Sequence, residues 1–465
     1  MVGRSIHNYF LIFHIIFWTC ASAMAQNSSG PNIILILTDD LGWSCLSAKM
    51  DETIAHSASE YHHTPNINKL AAQGMRFTRG YASASICSPS RRSILFGQTP
   101  IRQGDEDFKE KYNAQRSDLL SIPQVLKGID RRYKAAHFGK WDIRADIFPE
   151  DVGYDESDGN TGNSDGNVMT DKVDKWIEHF ITGDPKRMFT LADRATNFMS
   201  RQVLMGNPFY LQISHYAPHV DIQTRQETYD KYISKPKGKK HAEPGWAGML
   251  EDLDSSIGQV LEMVDALGIG NDTYIFFMSD NGAVEFLPPV RNRLDHPSSF
   301  DNLMRNYPLR AGKWTLYEGG IRVPFMVKGP GIKAGSQCDV PVAGWDLLPT
   351  FSELARNKSV LKGQSDGVSF VELLQNEGHG KMETMTRNLI FHRYNNEYPH
   401  SAIIAGHFKV IKFWKSGKLE LYNLKNDPGE LNDIAKENPE KTTALAKKMM
   451  QYIHHVNPGL SLLYN

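Results

Sequence analysis

The sequence predicts an α/β protein with a large, mainly parallel central sheet flanked by helices, followed by a small C-terminal α+β subdomain. Two continuous apolar runs, over 32–38 and 273–278, are typical of strands buried on both faces of a parallel sheet. Between these runs, apolar residues recur at helical spacing over 250–264. Strands that alternate with helices in this way favour a parallel sheet.

The remaining elements of the main sheet follow from local signals. Thr64 and Pro65 are expected to begin a helix, with Thr64 as its N-cap, and Gly74 to end it. Segments 132–138 and 208–214 are further strand candidates. They complete the alternation of strands and helices before the long helix.

The pattern changes from about residue 355. Short strand-like runs over 401–405 and 408–413 are followed by a polar helix over 437–454, which indicates a small antiparallel sheet with a helix. The predicted organisation is a signal peptide (1–25), a main α/β domain (26–354) and a C-terminal subdomain (355–465).

The N-terminus predicts export. Arg4 and His7 precede an apolar run over 9–18, and the small-x-small segment 23–25 follows. This pattern is typical of a secretory signal peptide cleaved after Ala25, and the run is short for the alternative, a membrane anchor. We therefore expect a periplasmic or secreted protein without a membrane span in the mature chain.

Composition and cysteine usage narrow the function classes. The 465 residues are 40% hydrophobic and carry a formal net charge of −1, which favours a large core and gives no indication of a nucleic-acid partner. Of the 4 cysteines, Cys20 leaves with the signal peptide, and Cys45, Cys87 and Cys338 stay. These are too few for a disulfide framework, and the odd number suggests that one has another role.

Two charged or polar loops have alternative interpretations. Segment 154–167 has acidic spacing that resembles a calcium loop, but it lacks the final glutamate of an EF-hand, so a surface loop is favoured. Segment 234–241 is basic and could contact an anionic polysaccharide, although charge runs are usually solvated faces.

The segment beginning at Cys87 carries the most specific chemistry. Ser88 is expected to cap a helix that Pro89 begins and Gly97 ends, which places Cys87 beside free backbone N–H groups at the positive end of a helix dipole. Such a position suits an anion. The alternative is a buried structural cysteine before an ordinary helix.

Oxygen-donor side chains follow two predicted strands. Asp39 and Asp40 come after the first strand, and Asp280 and Asn281 after the strand at 273–278. Open α/β sheets place ligands at such strand ends, and oxygen donors without His or Cys favour calcium or magnesium over zinc. The alternative for Asp39 and Asp40 is a pair of helix-capping carboxylates, but adjacent buried carboxylates repel unless a cation neutralises them.

The Cys-x-Pro-x-Arg motif of residues 87–91 resembles the core signature of the type I sulfatases, in the alkaline-phosphatase-like superfamily. Other segments resemble the family's motifs in the family's order. They are 31–42, 63–67, 74–77, 139–141, 217–219, 279–282, 317–324 and 421–430. The resemblance covers nearly the whole mature chain and implies hydrolysis of sulfate esters, here on a sulfated polysaccharide or oligosaccharide.

The resemblance also implies cofactors and residue roles. A maturation enzyme, either formylglycine-generating or anaerobic, would convert Cys87 to formylglycine, whose hydrate attacks sulfur. One calcium ion would be held by Asp39, Asp40, residue 87, Asp280 and Asn281. Arg91 would lie beside formylglycine, Lys140 and Lys313 on sulfate oxygens, and His219 on the leaving group, a role for which His215 competes.

One position departs from the family pattern. The family has histidine two residues after the lysine matched by Lys140, and this chain has Asp142. If residues 140–142 are extended, Lys140 and Asp142 face the same side, Trp141 turns into the packing and His137 points away. Asp142 is therefore a candidate proton acceptor, with a surface aspartate as the alternative.

Two other functions remain open from the sequence. A phosphoric-ester hydrolase of the same superfamily would be expected to show additional ligands for two zinc ions. A non-catalytic relative that binds sulfated glycans could have lost the histidine by decay.

Overall fold

The computed structural model describes residues 30–460 except 106, 116–117, 171–177, 286–303, 358–360, 362–364, 381, 383–386 and 395–396. Its strands are β1 (Asn32–Thr38), β2 (Met75–Phe77), β3 (Gly80–Tyr81), β4 (Lys134–Gly139), β5 (Glu156–Ser157), β6 (His179–Ile181), β7 (Phe209–Ser214), β8 (Ile222–Thr224), β9 (Thr273–Ser279), β10 (Phe325–Lys328), β11 (Ser336–Cys338), β12 (Val342–Ala343), β13 (Asn388–Arg393), β14 (His400–Ala405), β15 (Phe408–Phe413) and β16 (Leu419–Asn423). Its helices are α1 (Pro65–Gln73), α2 (Cys87–Phe96), α3 (Pro100–Gln103), α4 (Phe108–Gln115), α5 (Ile122–Ile129), α6 (Met188–Met205), α7 (Gln226–Ser234), α8 (Pro244–Ala266), α9 (Glu318–Ile321), α10 (Leu347–Leu354), α11 (Val371–Gln375) and α12 (Pro439–Val456).

An eight-stranded sheet with the order β11-β2-β10-β9-β1-β7-β4-β5 forms the centre of the molecule. Strand β1 lies between β7 and β9 and is parallel to both, with Ile36 opposite Ile213 and Phe277. Strand β10 is antiparallel to both of its neighbours, β9 and β2. The sheet is therefore mainly parallel, as predicted, with a reversed strand towards one edge.

Helices cover both faces of this sheet. Ile34 and Ile36 pack in a core with residues of α1, α6 and α8, whereas Leu35 and Leu37 pack in a second core with residues of α2, α5 and α10. Every residue of β1 is consequently buried. This two-sided coverage explains why the strand is continuously apolar.

The C-terminal subdomain is a four-stranded antiparallel sheet, β13-β14-β15-β16, on which α12 packs. A further core joins this sheet to the main domain, and the rings of Trp345 and Phe391 lie 5.1 Å apart in it. The predicted fold class, α/β with a small C-terminal α+β part, is confirmed. The domain boundary at 354/355 stays a prediction.

Two helix starts differ from the sequence prediction. The Thr64 side chain does not cap α1, because its hydroxyl accepts the Ser47 backbone N–H at 3.0 Å. Asp254 of α8 instead accepts the Ile67 N–H at 2.8 Å. Helix α2 begins at Cys87 with Ile86 as its N-cap, so Ser88 lies inside the first turn.

The structure also bears on the acidic segment 154–167 and on the prediction of a chain without a membrane span. Segment 154–167 is mostly loop, and its Asp155 and Asp158 accept backbone N–H groups of Ala135 and Gly139, both at 2.8 Å. The predicted signal peptide lies outside the described residues. Within the part of the chain that the structure describes, no helix has the length and apolar character needed to cross a membrane.

Candidate active site

The candidate site lies at the carboxyl ends of the central strands. Strand β1 leads directly into Asp39 and Asp40, and β9 leads into Asp280 and Asn281. The N-terminus of α2 brings Cys87 to the same place, where its Sγ lies 3.3 Å from Asp39 Oδ1. All five of these residues are buried.

A left-handed turn lets two consecutive aspartates share the site. Successive side chains of a strand point to opposite faces, but Asp40 has a φ of 65° and therefore leaves the strand geometry. Asn281 donates its side-chain N–H to Asp40 at 2.6 Å. Ligand atoms of Asp39, Asp40, Cys87 and His219 all lie within 4.8 Å of one another.

Three buried cations neutralise these carboxylates. Lys140 Nζ, after β4, lies 2.6 Å from Asp39. Arg91 Nε donates to Asp280 at 2.8 Å.

The third cation, Lys313, comes from the loop before α9. Its Nζ lies 2.8 Å from Asp40 and 3.3 Å from Cys87 Sγ. The predicted catalytic cations and metal ligands are thus adjacent to one another.

Burial and charged neighbours together determine the pKa values of the site. Burial raises the pKa of Asp39, but Lys140 and other cations outweigh it and hold this pKa below its ordinary value. Burial and the Asp39 carboxylate raise the pKa of Asp280 to about 7. The same two causes raise the pKa of the Cys87 thiol well above its ordinary value.

Asp142 reaches the site by a route that the sequence did not predict. Strand β4 ends at Gly139, and Asp142 has a φ of 47°, so residues 140–142 are not extended. The left-handed turn still brings Asp142 to 3.6 Å from Lys140 Nζ, and Trp141 is buried with its indole N–H bonded to Ile147. The expected side-chain placement is present, but the strand geometry used to predict it was wrong.

Three histidines close to the site differ in their contacts. His219 Nε2 lies 3.7 Å from Asp40, and its Nδ1 is 2.9 Å from the Val220 carbonyl. Neither ring nitrogen of His215 has a hydrogen-bond partner among the described residues, and burial lowers its pKa to about 3. His137 bonds Ser214 at 3.0 Å. Of these three, His219 is the one that contacts the carboxylates.

Two lysines of the basic segment 234–241 lie over aromatic rings. Lys235 Nζ lies over the Tyr61 and Tyr232 rings, and Lys240 Nζ lies 3.8 Å from the Tyr307 ring centroid. Lys237 and Lys239 are exposed. A role in polysaccharide binding stays a prediction.

A buried ion pair next to the site escaped the sequence analysis. Lys186 Nζ lies 3.1 Å from Asp221, and both side chains are almost wholly buried. Asp221 also accepts the backbone N–H of Met169 at 2.6 Å, so it holds the loop at 167–170 against the His219 loop. Its position two residues after His219 was the available signal.

Comparison with known proteins shows the family to which the chain belongs. The sulfatase family model matches residues 31–357, and a model described as N-sulphoglucosamine sulphohydrolase, C-terminal, matches residues 311–457. A sulfatase of Formosa agariphila is 27% identical, covering 90% of this chain and 87% of that protein. N-acetylgalactosamine-6-sulfatase of Mus musculus is 27% identical, covering 82% and 71%. The crystal structure of Ps i-CgsB has a TM-score of 0.71 at 24% identity, covering 91% and 93%.

Fold and site together place a buried cysteine among carboxylates and cations at the carboxyl ends of a parallel sheet, an arrangement that suits an anionic substrate. The chain belongs to the sulfatase family and is a sulfuric ester hydrolase.

Proposed function

We propose that this protein hydrolyses sulfate esters of a sulfated polysaccharide or oligosaccharide, using formylglycine formed from Cys87 and one calcium ion. The observation that carries the proposal is the position of Cys87. Its Sγ lies 3.3 Å from both Asp39 and Lys313 Nζ, at the N-terminus of a helix. That position offers an anion both a cation and a helix dipole.

The thiol itself is a poor nucleophile at this position. Burial and Asp39 raise its pKa, so it stays protonated, and the thiolate is the reactive form of cysteine. This supports conversion of Cys87 rather than direct attack by sulfur. Formylglycine hydrate would supply one hydroxyl to attack sulfur and a second whose proton loss releases sulfate.

The donor set fits calcium. Asn281 Oδ1 is buried and has no hydrogen-bond partner among the described residues, while its N–H group bonds Asp40, so the oxygen is free to ligate. The carboxylates of Asp39, Asp40 and Asp280 supply further hard oxygens. Calcium held by these residues and residue 87 would polarise the sulfate and lower the pKa of the attacking hydroxyl.

The remaining side chains have separable roles. Arg91 holds Asp280 and the Lys140 carbonyl, which orients both. Lys140 and Lys313 would bind sulfate oxygens as negative charge develops. His219, at 13% side-chain exposure, borders solvent, and burial and Lys313 lower its pKa to about 4. It would therefore first take up a proton, favoured by the negative charge of the incoming sulfate, and then give it to the leaving oxygen. Asp142 would accept the proton of the second hydroxyl.

The names of relatives support a glycan substrate. The mouse relative is an N-acetylgalactosamine-6-sulfatase, and Ps i-CgsB was also crystallised with k-i-k-neocarrahexaose. The proposed location is periplasmic or secreted, where such polymers occur. The proposed partners are the sulfated carbohydrate and a maturation enzyme acting on Cys87.

Metal removal tests the calcium site. Chelation should abolish sulfate release, and added calcium should restore it, because the bound ion would again polarise the sulfate and lower the pKa of the attacking hydroxyl. Elemental analysis of the active protein should find one calcium. Two zinc ions and preferential phosphate-ester turnover would instead support the phosphoric-ester hydrolase.

A panel of sulfated oligosaccharides, with free sulfate as the readout, tests the substrate class. Release from at least one glycan is expected. Binding to sulfated glycans without sulfate release, from protein that contains formylglycine and calcium, would instead support the non-catalytic alternative.

A further inference from the structure

Arg144 is an exposed cation at the edge of the candidate site. Its side chain is 72% exposed, and its Nε lies 3.4 Å from Asp142 Oδ1. Among the described residues, neither terminal guanidinium nitrogen has a hydrogen-bond partner. A guanidinium presents those nitrogens as a fork that fits a carboxylate or sulfate group.

The loop that carries Arg144 is held in place from both sides. Ile143 and Ile147 are buried in the main core. Trp141 donates its indole N–H to the Ile147 carbonyl at 2.7 Å. Arg144 projects outward between these anchors, so the position of its backbone is fixed by packing.

A short series of contacts connects Arg144 to the candidate nucleophile. Asp142, which contacts Arg144, lies 3.6 Å from Lys140 Nζ. Lys140 lies 2.6 Å from Asp39, and Asp39 lies 3.3 Å from Cys87 Sγ. Four successive contacts of 2.6–3.6 Å thus lead from Arg144, at the exposed edge of the cluster, to Cys87 Sγ.

We propose that Arg144 forms a subsite for a second anionic group of the substrate, a carboxylate or another sulfate close to the sulfate that is cleaved. The inference rests on the proposed function and makes it more specific. The preferred substrate carries at least two anionic groups near one another, and Arg144 determines this preference.

The test compares two glycan substrates in the wild type and in Arg144→Gln. The first substrate is the glycan that the wild type hydrolyses best in the panel. The second is the same glycan after carboxyl reduction or removal of its other sulfate. In Arg144→Gln, KM for the intact glycan should rise about 10- to 100-fold, as expected for a lost charge-assisted hydrogen-bonding pair. Its activity on 4-nitrophenyl sulfate, which has no second anionic group, should fall by a much smaller factor than kcat/KM for the intact glycan.

Arg132→Gln is the matched control. Arg132 also follows its aspartate partner by two residues, since its terminal nitrogen lies 2.7 Å from Asp130, and it is 48% exposed. It precedes β4, at the opposite end of the strand from Arg144. Its substitution should leave both KM values unchanged.

Two results would overturn the inference. One is a wild type that hydrolyses the intact and the modified glycan equally well. The other is an Arg144→Gln variant that keeps the wild-type preference. A wild type that releases no sulfate from any substrate, 4-nitrophenyl sulfate included, would instead overturn the proposed function.

Discussion

Asp142 shows how the local backbone conformation of a single residue can bring its side chain to the candidate site. It stands where the family pattern has histidine, and a left-handed φ of 47° brings its carboxylate to Lys140. Burial raises its pKa, but Lys140 and Arg91 outweigh burial and lower it, so the carboxylate is ionised and able to accept a proton.

Replacing Asp142 with asparagine tests this role. Asn keeps the shape and tolerates the left-handed region, so Asp142→Asn should fold normally. We expect slow breakdown of the sulfated enzyme, seen as a pre-steady-state burst of product followed by a kcat lowered about 10²-fold.

Asp146→Asn provides the matched control in the same loop. Asp146 also has a left-handed φ of 50°, but its side chain is 76% exposed and pairs with Lys109. Its substitution should leave the burst and kcat unchanged. Wild-type breakdown in Asp142→Asn would show that the proton goes to His219 or to water.

At the scale of elements, strands and helix ends were predictable, since Gly74 and Gly97 end α1 and α2 as predicted, whereas the side-chain N-caps were not. The run from Asn32 to Thr38 is apolar throughout because both faces are covered, and the sequence predicted its bounds. Thr64 looked like a cap for α1, but the N–H groups there bond Asp254, a residue 188 positions away from Asn66. Capping by a distant element depends on tertiary packing, which local sequence signals do not encode.

Strand β15 contributes the lysine of a buried cluster of three charged groups that joins the C-terminal sheet to the main domain. Lys409 Nζ lies 3.0 Å from Glu318 of α9 and 2.8 Å from Glu430. Glu318 also accepts the Tyr81 hydroxyl at 3.0 Å. All of these charged groups are fully buried. The cluster therefore depends on the lysine and both glutamates staying in place.

Lys409→Met should lower the free energy of unfolding by about 3–5 kcal/mol, because it removes the cation nearest to two buried carboxylates. Denaturant unfolding measures this change. Lys412→Met is the matched control on the same strand, where Nζ lies over the Trp414 ring at 5.3 Å, and it should cost about 1 kcal/mol or less. Equal effects of the two substitutions would contradict a fastening role for Lys409.

At the scale of the whole molecule, parallel topology explains why distant residues could be grouped from sequence. Asp39 and Asp280 end strands that the sequence predicted, and the ends of parallel strands meet at one edge of the sheet. Lys313 comes from a loop without periodic signal, and only the family resemblance identified it. Arg144 and Lys186 were missed because an exposed or paired charge has no distinctive local pattern.

Conversion of Cys87 is the central claim, and peptide mass spectrometry of active protein, co-expressed with a formylglycine-generating enzyme, tests it most directly. The account predicts an aldehyde in place of the Cys87 thiol, with specific activity proportional to the converted fraction. It also predicts that Cys87→Ala folds normally and has no turnover. Full activity in protein whose residue 87 is entirely thiol, or in Cys87→Ala, would contradict the account.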